Sequence, residues 1–222
     1  MDGAFLLDLR LADPRVTELQ ALGMPAVVVG HPSEAGSLAS VWSDDGAAVR
    51  ETIEYLAALG HRRVARVAGL PELVHTALRD RAFAASCDGL GLNGHVTAHT
   101  DCTGEEGARA TRRLLSSPDR PTAIVYDNGI TAVAGLSVAQ EMRLDVPRDL
   151  SIVAWDDSPL SQVVRPPLTA LSRDISTYGA HAAQRLLALI DGGQASAFED
   201  RAACLTVRGS TGPPPARAPE PA

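Results

Sequence analysis

Two adjacent carboxylates, Asp156 and Asp157, stand at the end of an apolar run in VPRDLSIVAWDDSPLSQVVRPPLT, Val146 to Thr169. Such a pair is open to general acid–base work, metal ligation, ligand hydrogen bonding or loop capping. A retaining glycosidase needs two carboxyls converging on one bond, ~5 Å apart. Neighbouring residues on an extended chain point to opposite sides, which works against that convergence. One aspartate is instead expected to face a cleft while the other caps or orients a neighbour. Hydrogen bonding by Asp156 to a ligand is the favoured reading, with a purely structural role for both left open. Arg79 is a second candidate. It stands four residues before Phe83 at a helix start, and alone it reads as a solvated surface arginine. Asp8 and the Asp127–Asn128 pair complete the set, because each follows an expected strand.

These positions acquire meaning from the elements that must carry them. GAFLL (Gly3–Leu7) reads as a buried strand and PAVVVG (Pro25–Gly30) as another. Between them Asp13 caps a helix with Pro14 in its first turn, where a missing N–H costs nothing, and Gly23 stops it. Residues 31–43 read as a loop. A helix then runs from an N-cap at Asp45 to Gly60, with Val49, Ile53 and Leu56 on one face. Further strands are expected at RVARVAG, HVTAH, PTAIVY, DLSIVAW and RAACLTVRGS. Helices are expected at about 78–88, after Thr103 and Glu106 (a capping box), at NGITAVAGLSVAQEM, and from RDISTYG to Gly192–Gly193 with Ile175, Ala182, Leu186 and Leu189 inward. Strands alternating with helices predict an α/β fold with parallel sheet, and ligands in such folds collect beyond the carboxyl ends of the strands.

Other motifs carry less. GLGLNG (Gly89–Gly94) spells G-x-G-x-x-G, but a helix precedes it and a strand follows, the reverse of a dinucleotide fingerprint. It reads as helix-ending turn chemistry. His95 and His99 are not expected to bind metal, and no catalytic residue or cofactor is assigned. Cys87, Cys102 and Cys204 are odd in number and lack metal spacing, which fits reduced thiols in the cytoplasm. No apolar stretch approaches membrane-spanning length, and MDGAFLLDLR has no basic leader region. The net charge of −7 argues against this chain gripping nucleic acid by itself, since phosphate binding needs clustered Lys and Arg. The proline-rich end, from 212 to 222, is expected to be a disordered tail.

GHRRVARVAG, RDRAFAASCDGLGL, RPTAIVYDN, VPRDLSIVAWDD, PPLTAL and LTVRGST follow one another in an order similar to that of the effector-binding core of LacI/GalR-type transcriptional regulators. The resemblance covers roughly residues 3–211, and the P-x-D-L-S-I-V-x-aromatic-D-D block is its most specific part. It implies a periplasmic-binding-protein-like fold of type I, two Rossmann-like lobes with a small effector between them. Arg79 matches the family's effector-contacting arginine, although Ala82 replaces a glycine. Asp127 matches the residue that ends the next strand, with D-N where the family writes N-D. Asp156 matches the carboxylate that meets ligand hydroxyls or ring N–H groups. Asp8 falls where the first lobe nears the ligand, and Trp155 either flanks the pocket or packs under it.

The same resemblance places an incomplete N-terminal lobe at 1–40 plus 170–194 and a C-terminal lobe at 41–169 plus 195–211. It implies a homodimer and control of operator DNA by an effector. The family's helix-turn-helix and two opening βα units do not precede DGAFLL here, so the reading is of an N-terminally truncated core. Low aromatic content favours a sugar over a flat nucleobase as effector. The alternatives weighed are a solute-binding protein of a transport system and, behind it, a carboxylate-based hydrolase.

Overall fold

The computed structural model describes residues 2–92 and 94–215. β1 (Ala4–Leu6), α1 (Pro14–Ala21) and β2 (Ala26–Val29) form a parallel β-α-β unit. Asp13 caps α1 through the Arg15 amide at 3.0 Å, with Pro14 beside it in the first turn. β2 pairs with β3 (Ala39–Ser43), so the expected loop at 31–43 contains a strand. ASVWS is a weak signal because serines break its apolar pattern. Ala39 and Val41 are nevertheless fully enclosed, and Ser40 is buried with them.

α2 (Asp45–Ala58) leads into a second sheet built from β4 (Val64–Ala68), β5 (Val96–His99), β6 (Ala123–Tyr126), β7 (Ser151–Trp155), β8 (Thr169–Ser172) and β10 (Cys204–Thr206). Its order is β10-β8-β7-β6-β4-β5, parallel except for β10 against β8. The helices α3 (Val74–Gly89), α4 (Gly104–Leu115), α5 (Gly129–Glu141) and the short α6 (Pro159–Val163) alternate with these strands. The central strands β4, β6 and β7 are buried along their whole length, as expected of a parallel sheet covered on both faces. α3 starts a full turn earlier than the expected 78 and ends through Gly91, whose φ is +66°. GLGLNG is thus a helix stop followed by β5, apart from Asn93, which lies outside the described residues.

α7 (Ile175–Ile190) returns to the first sheet and packs on β2 and β3. β9 (Ala197–Asp200), not foreseen, then pairs parallel with β3. The first sheet is therefore β1-β2-β3-β9. The lobe limits of the sequence reading need correction accordingly: 41–43 and 195–200 join the first sheet, while β8 keeps 170–172 with the second. Sheet pairing decides these memberships, and a short alternating strand such as AFED does not announce its partner. Ala182 of α7 is buried, but Ile175 is 62% exposed, because the first turn projects past the sheet to the rim of a cleft.

The segment at 212–215 is not free either. Gly212 accepts from His61 Nε2 at 3.0 Å, its N–H donates to Ser151 Oγ, and Pro214 lies against Gly60. Residues 216–222 of the expected tail lie outside the described residues. His61 is fully buried, with Nδ1 on Thr122 Oγ1 at 2.8 Å. Burial pushes the imidazole below its ordinary value, against the opposing Gly212 bond. A histidine depressed in this way supports the fold fully above the unfolded value, about 6.5, and that support is lost as pH falls below it. His61→Gln is expected to flatten the loss of urea resistance between pH 7 and 5. An unchanged slope would locate the titration elsewhere.

One glycine is required by a close approach. A Cβ on Gly135 in α5 would stand 2.1 Å from Tyr126 Oη and 2.4 Å from its Cζ. Tyr126 is fully buried and bonded to Thr111 Oγ1 at 2.9 Å, so it has nowhere to retreat. Gly135→Ala is expected to destabilise by about 1–3 kcal/mol from overpacking, outweighing the helix propensity gained. Urea unfolding reads this, and a variant as stable as the parent would contradict it.

Candidate functional site

The chain crosses between the sheets at 43–45, 172–175 and 200–204. The carboxyl ends of both sheets open onto a cleft of about 440 Å³. The first lobe supplies Leu7, Asp8, Leu9, Gly30 and His31 from the ends of β1 and β2, and Tyr178 from α7. The second supplies His75, Arg79, Asp127, Asn128 and Asp156, and the crossovers add Ser43, Asp45 and Arg173. The lobes also meet directly. Leu11 N–H donates to Glu72 O and Val74 N–H to Leu9 O, both at 2.9 Å, while Leu9 packs with Val74 and Leu78.

Arg79 is no solvated surface arginine. It is buried at 6% exposure, and Nε donates to Asp45 Oδ2 at 2.8 Å with Nη2 2.7 Å from the same oxygen. Its guanidinium lies 3.6 Å above the centre of the Trp155 ring. A planar cation over an indole face gains from the ring quadrupole, more so when desolvated. Trp155 is itself 1% exposed and does not reach the cleft. Of the two places considered for it, the structure shows the one beneath Arg79, so its inclusion among ligand-contacting residues is corrected. β7 is central and parallel, and its last side chain is roofed by α3.

Asp127 lines the cleft but is already committed. Its oxygens accept from Arg66 Nε at 2.8 Å and Nη2 at 2.6 Å, and from Gly69 N–H at 3.3 Å, with Arg79 Nη1 3.9 Å away. Burial pushes this carboxyl up, but the charges of Arg66 and Arg79 and the bonds from Arg66 and Gly69 outweigh it and hold the value below normal. Arg66 also pairs with Asp80, which in turn accepts from His99 at 2.9 Å. Asn128 is likewise committed, capping α5 through Thr131 N–H and donating to Cys102 O at 3.0 Å.

The aspartate pair divides its labour. Asp157 accepts from Arg208 Nη2 at 2.6 Å, Ser172 Oγ at 3.0 Å and Gln162 Nε2 at 3.3 Å, and the Arg208 bond above all holds its pKa down. It ties the loop after β7 to β8 and to the segment after β10. Asp156 sits at φ +66° and keeps 54% of its side chain exposed, with Arg173 Nη2 3.8 Å away. A left-handed residue after a strand turns its side chain out of the strand's alternation, which separates it from Asp157. Asp8, also at positive φ, exposes its side chain from the first lobe.

Several cleft residues escaped the sequence reading. Asp45 read as an N-cap, but Asp44 caps α2 through Ala47 N–H at 2.9 Å, leaving Asp45 for Arg79. The doubled aspartate was the available signal. Arg173, on the second crossover, donates to Ser43 Oγ at 3.2 Å and lies 3.8 Å from Asp45. His75, next to Val74, lines the cleft and is held below its ordinary value by burial and then by the Arg79 charge. No local pattern marked Arg173 or His75.

An apolar and polar cleft between two α/β lobes joined by three crossovers is the architecture of hinged small-molecule-binding proteins. Residues 53–211 match the periplasmic binding protein-like domain. The chain is 44% identical to a LacI family transcriptional regulator from Bifidobacterium animalis subsp. lactis, covering 96% of this chain and 79% of that one with a TM-score of 0.92. A complex of the transcriptional regulator CelR with cellobiose is 26% identical with a TM-score of 0.86, over 95% and 66% of the two chains. The HTH-type transcriptional repressor CytR of Escherichia coli (strain K12) is 32% identical over 214 residues, 95% of this chain and 63% of that protein. This chain belongs to the LacI family of transcriptional regulators, in its periplasmic-binding-protein-like part. It spans about 63% of the length of that curated relative. Among the described residues no helix is long and apolar enough to cross a membrane.

Proposed function

We propose that this chain is the ligand-sensing part of a cytoplasmic regulator that is not an enzyme, and that a small polyhydroxylated effector, a sugar, binds in the cleft. One observation carries the reading: a buried guanidinium, Arg79, is clamped between Asp45 and the Trp155 face while Asp156 stays half exposed at the rim, with Arg173 at 3.8 Å. A carboxylate accepts two hydrogen bonds from vicinal hydroxyls, and a fixed arginine donates to ring or anomeric oxygens. Asp8 approaches from the opposite lobe, so a ligand touching both sides draws the lobes together. Asp127 acts in this scheme by holding Arg66 and Arg79, and Trp155 by supporting Arg79.

Ligand-dependent lobe closure shifts the population of two arrangements. In the whole regulator that shift alters operator affinity through a helix-turn-helix, in a homodimer. The cellobiose complex of CelR supports a sugar as the ligand class. Thermal denaturation against mono- and disaccharides, amino acids and nucleosides tests the class. A sugar is expected to raise Tm with the logarithm of its concentration above its Kd. Stabilisation by a nucleoside or amino acid and by no sugar would overturn the reading.

A further inference from the structure

A second cavity of about 450 Å³ lies beside the hinge. Two of the three crossovers form its walls, at Arg173–Asp174 before α7 and Asp200–Arg201 before β10. Arg173 and Tyr178 line both this cavity and the cleft, so they form the partition between them.

The carboxylates of the second cavity are engaged within the fold. Asp200 accepts from His181 Nδ1 at 2.8 Å and from Arg201 N–H at 2.7 Å. Asp174 caps α7, accepting from Thr177 N–H at 3.0 Å and its Oγ1 at 2.7 Å. Some donors are left over, although Nη1 of Arg173 donates to Ser43 Oγ and its Nη2 lies 3.8 Å from Asp45 and Asp156. Nε of Arg173 is buried without a partner. The Arg201 guanidinium is exposed and makes no ion pair among the described residues. With Nδ1 of His181 on Asp200, its Nε2 is also uncommitted.

We infer that the hinge cavity binds a small oxyanion, a phosphate or carboxylate group, held by Arg201 and Arg173 and separate from the ligand of the cleft. Guanidinium groups match such oxyanions with paired hydrogen bonds. Crossovers absorb the backbone changes when lobes close. An anion bridging two of them makes different contacts in the open and closed arrangements, and so biases the balance between them. The inference does not depend on what fills the cleft.

The test is calorimetric titration of the whole chain with sodium phosphate, and separately with sodium citrate, against sodium chloride at matched ionic strength. Saturable binding of at least one probe is expected, weakened about tenfold in Arg201→Gln by loss of one charge-assisted contact. Arg201 is exposed, so the variant should melt like the parent in chloride. Location is read by alkylation of Cys204, an exposed thiol lining the same cavity. At a probe concentration near the parent's Kd, alkylation is expected to slow in the parent and much less in Arg201→Gln. No saturable binding of either probe, equal affinity in the variant, or unaltered alkylation of Cys204 would overturn the inference.

Discussion

Asp127→Ala is expected to lower stability by about 3–5 kcal/mol, the cost of leaving a buried charge without its partner. In a chain of this size that is roughly 10 °C in Tm. The cause is specific. Arg66 is 1% exposed at the centre of β4, and two of its nitrogens end on Asp127. Removing the carboxylate leaves the guanidinium with Asp80 alone and exposes Arg79 to like charge. The double variant Arg66→Met/Asp127→Leu should recover most of the loss, since an apolar pair of similar volume is often neutral where a broken pair is not. The pH dependence has the opposite origin from that of His61. Asp127 has a depressed folded value, so its contribution is complete above the ordinary carboxylate pKa of about 3.9 and is lost as pH falls towards the folded value. Asp127→Ala within 1 kcal/mol of the parent in urea unfolding would mean that the network adds little.

Asp156→Ala is expected to weaken effector binding by about 10- to 100-fold while Tm barely moves. The magnitude is that of one hydrogen bond to a charged acceptor, ~1.5–3 kcal/mol. Stability is spared because this carboxylate has only a distant partner, Arg173 at 3.8 Å, and is more than half exposed. Calorimetry with the best sugar from the thermal panel reads the affinity. Asp156→Asn tests the chemistry, since an amide keeps one acceptor oxygen and loses the charge. It should fall between the parent and the alanine variant. The neighbouring Asp157→Ala should do the reverse, lowering Tm through loss of the Arg208 and Ser172 bonds with less effect on affinity. If Asp157 governed affinity and Asp156 did not, the division of roles between them would be wrong.

The alternation of elements was readable because most strands of the second sheet hold apolar runs and the long helices have a cap or a glycine stop. β3, β8 and β9 were not, because ASVWS, TALS and AFED mix polar and apolar residues, and β3 and β9 pair with each other. The lobe limits followed from that omission. In the site, Arg79, Asp127, Asp156 and Asp8 all come to the cleft, since carboxyl ends of parallel strands converge there. What sequence could not give was who holds whom. Asp127 read as a contact and is also the counter-ion of Arg66; Trp155 read as either flanking the pocket or packing under it, and it lies beneath Arg79. Asp45 read as a cap because one-dimensional spacing cannot show which of two aspartates faces the helix. Arg173 comes from a crossover and His75 from the first turn of α3, and only the folded lobes bring them together.

The most direct measurement is a crystal structure of the chain with the most stabilising sugar bound. Sugar hydroxyls are expected within hydrogen-bonding distance of both Asp156 oxygens, with Arg79 donating to the ring side while it remains stacked on Trp155, and Asp8 reaching the ligand from the other lobe. A sugar bound outside the cleft, or bound in it with Asp156 facing solvent, would contradict the account.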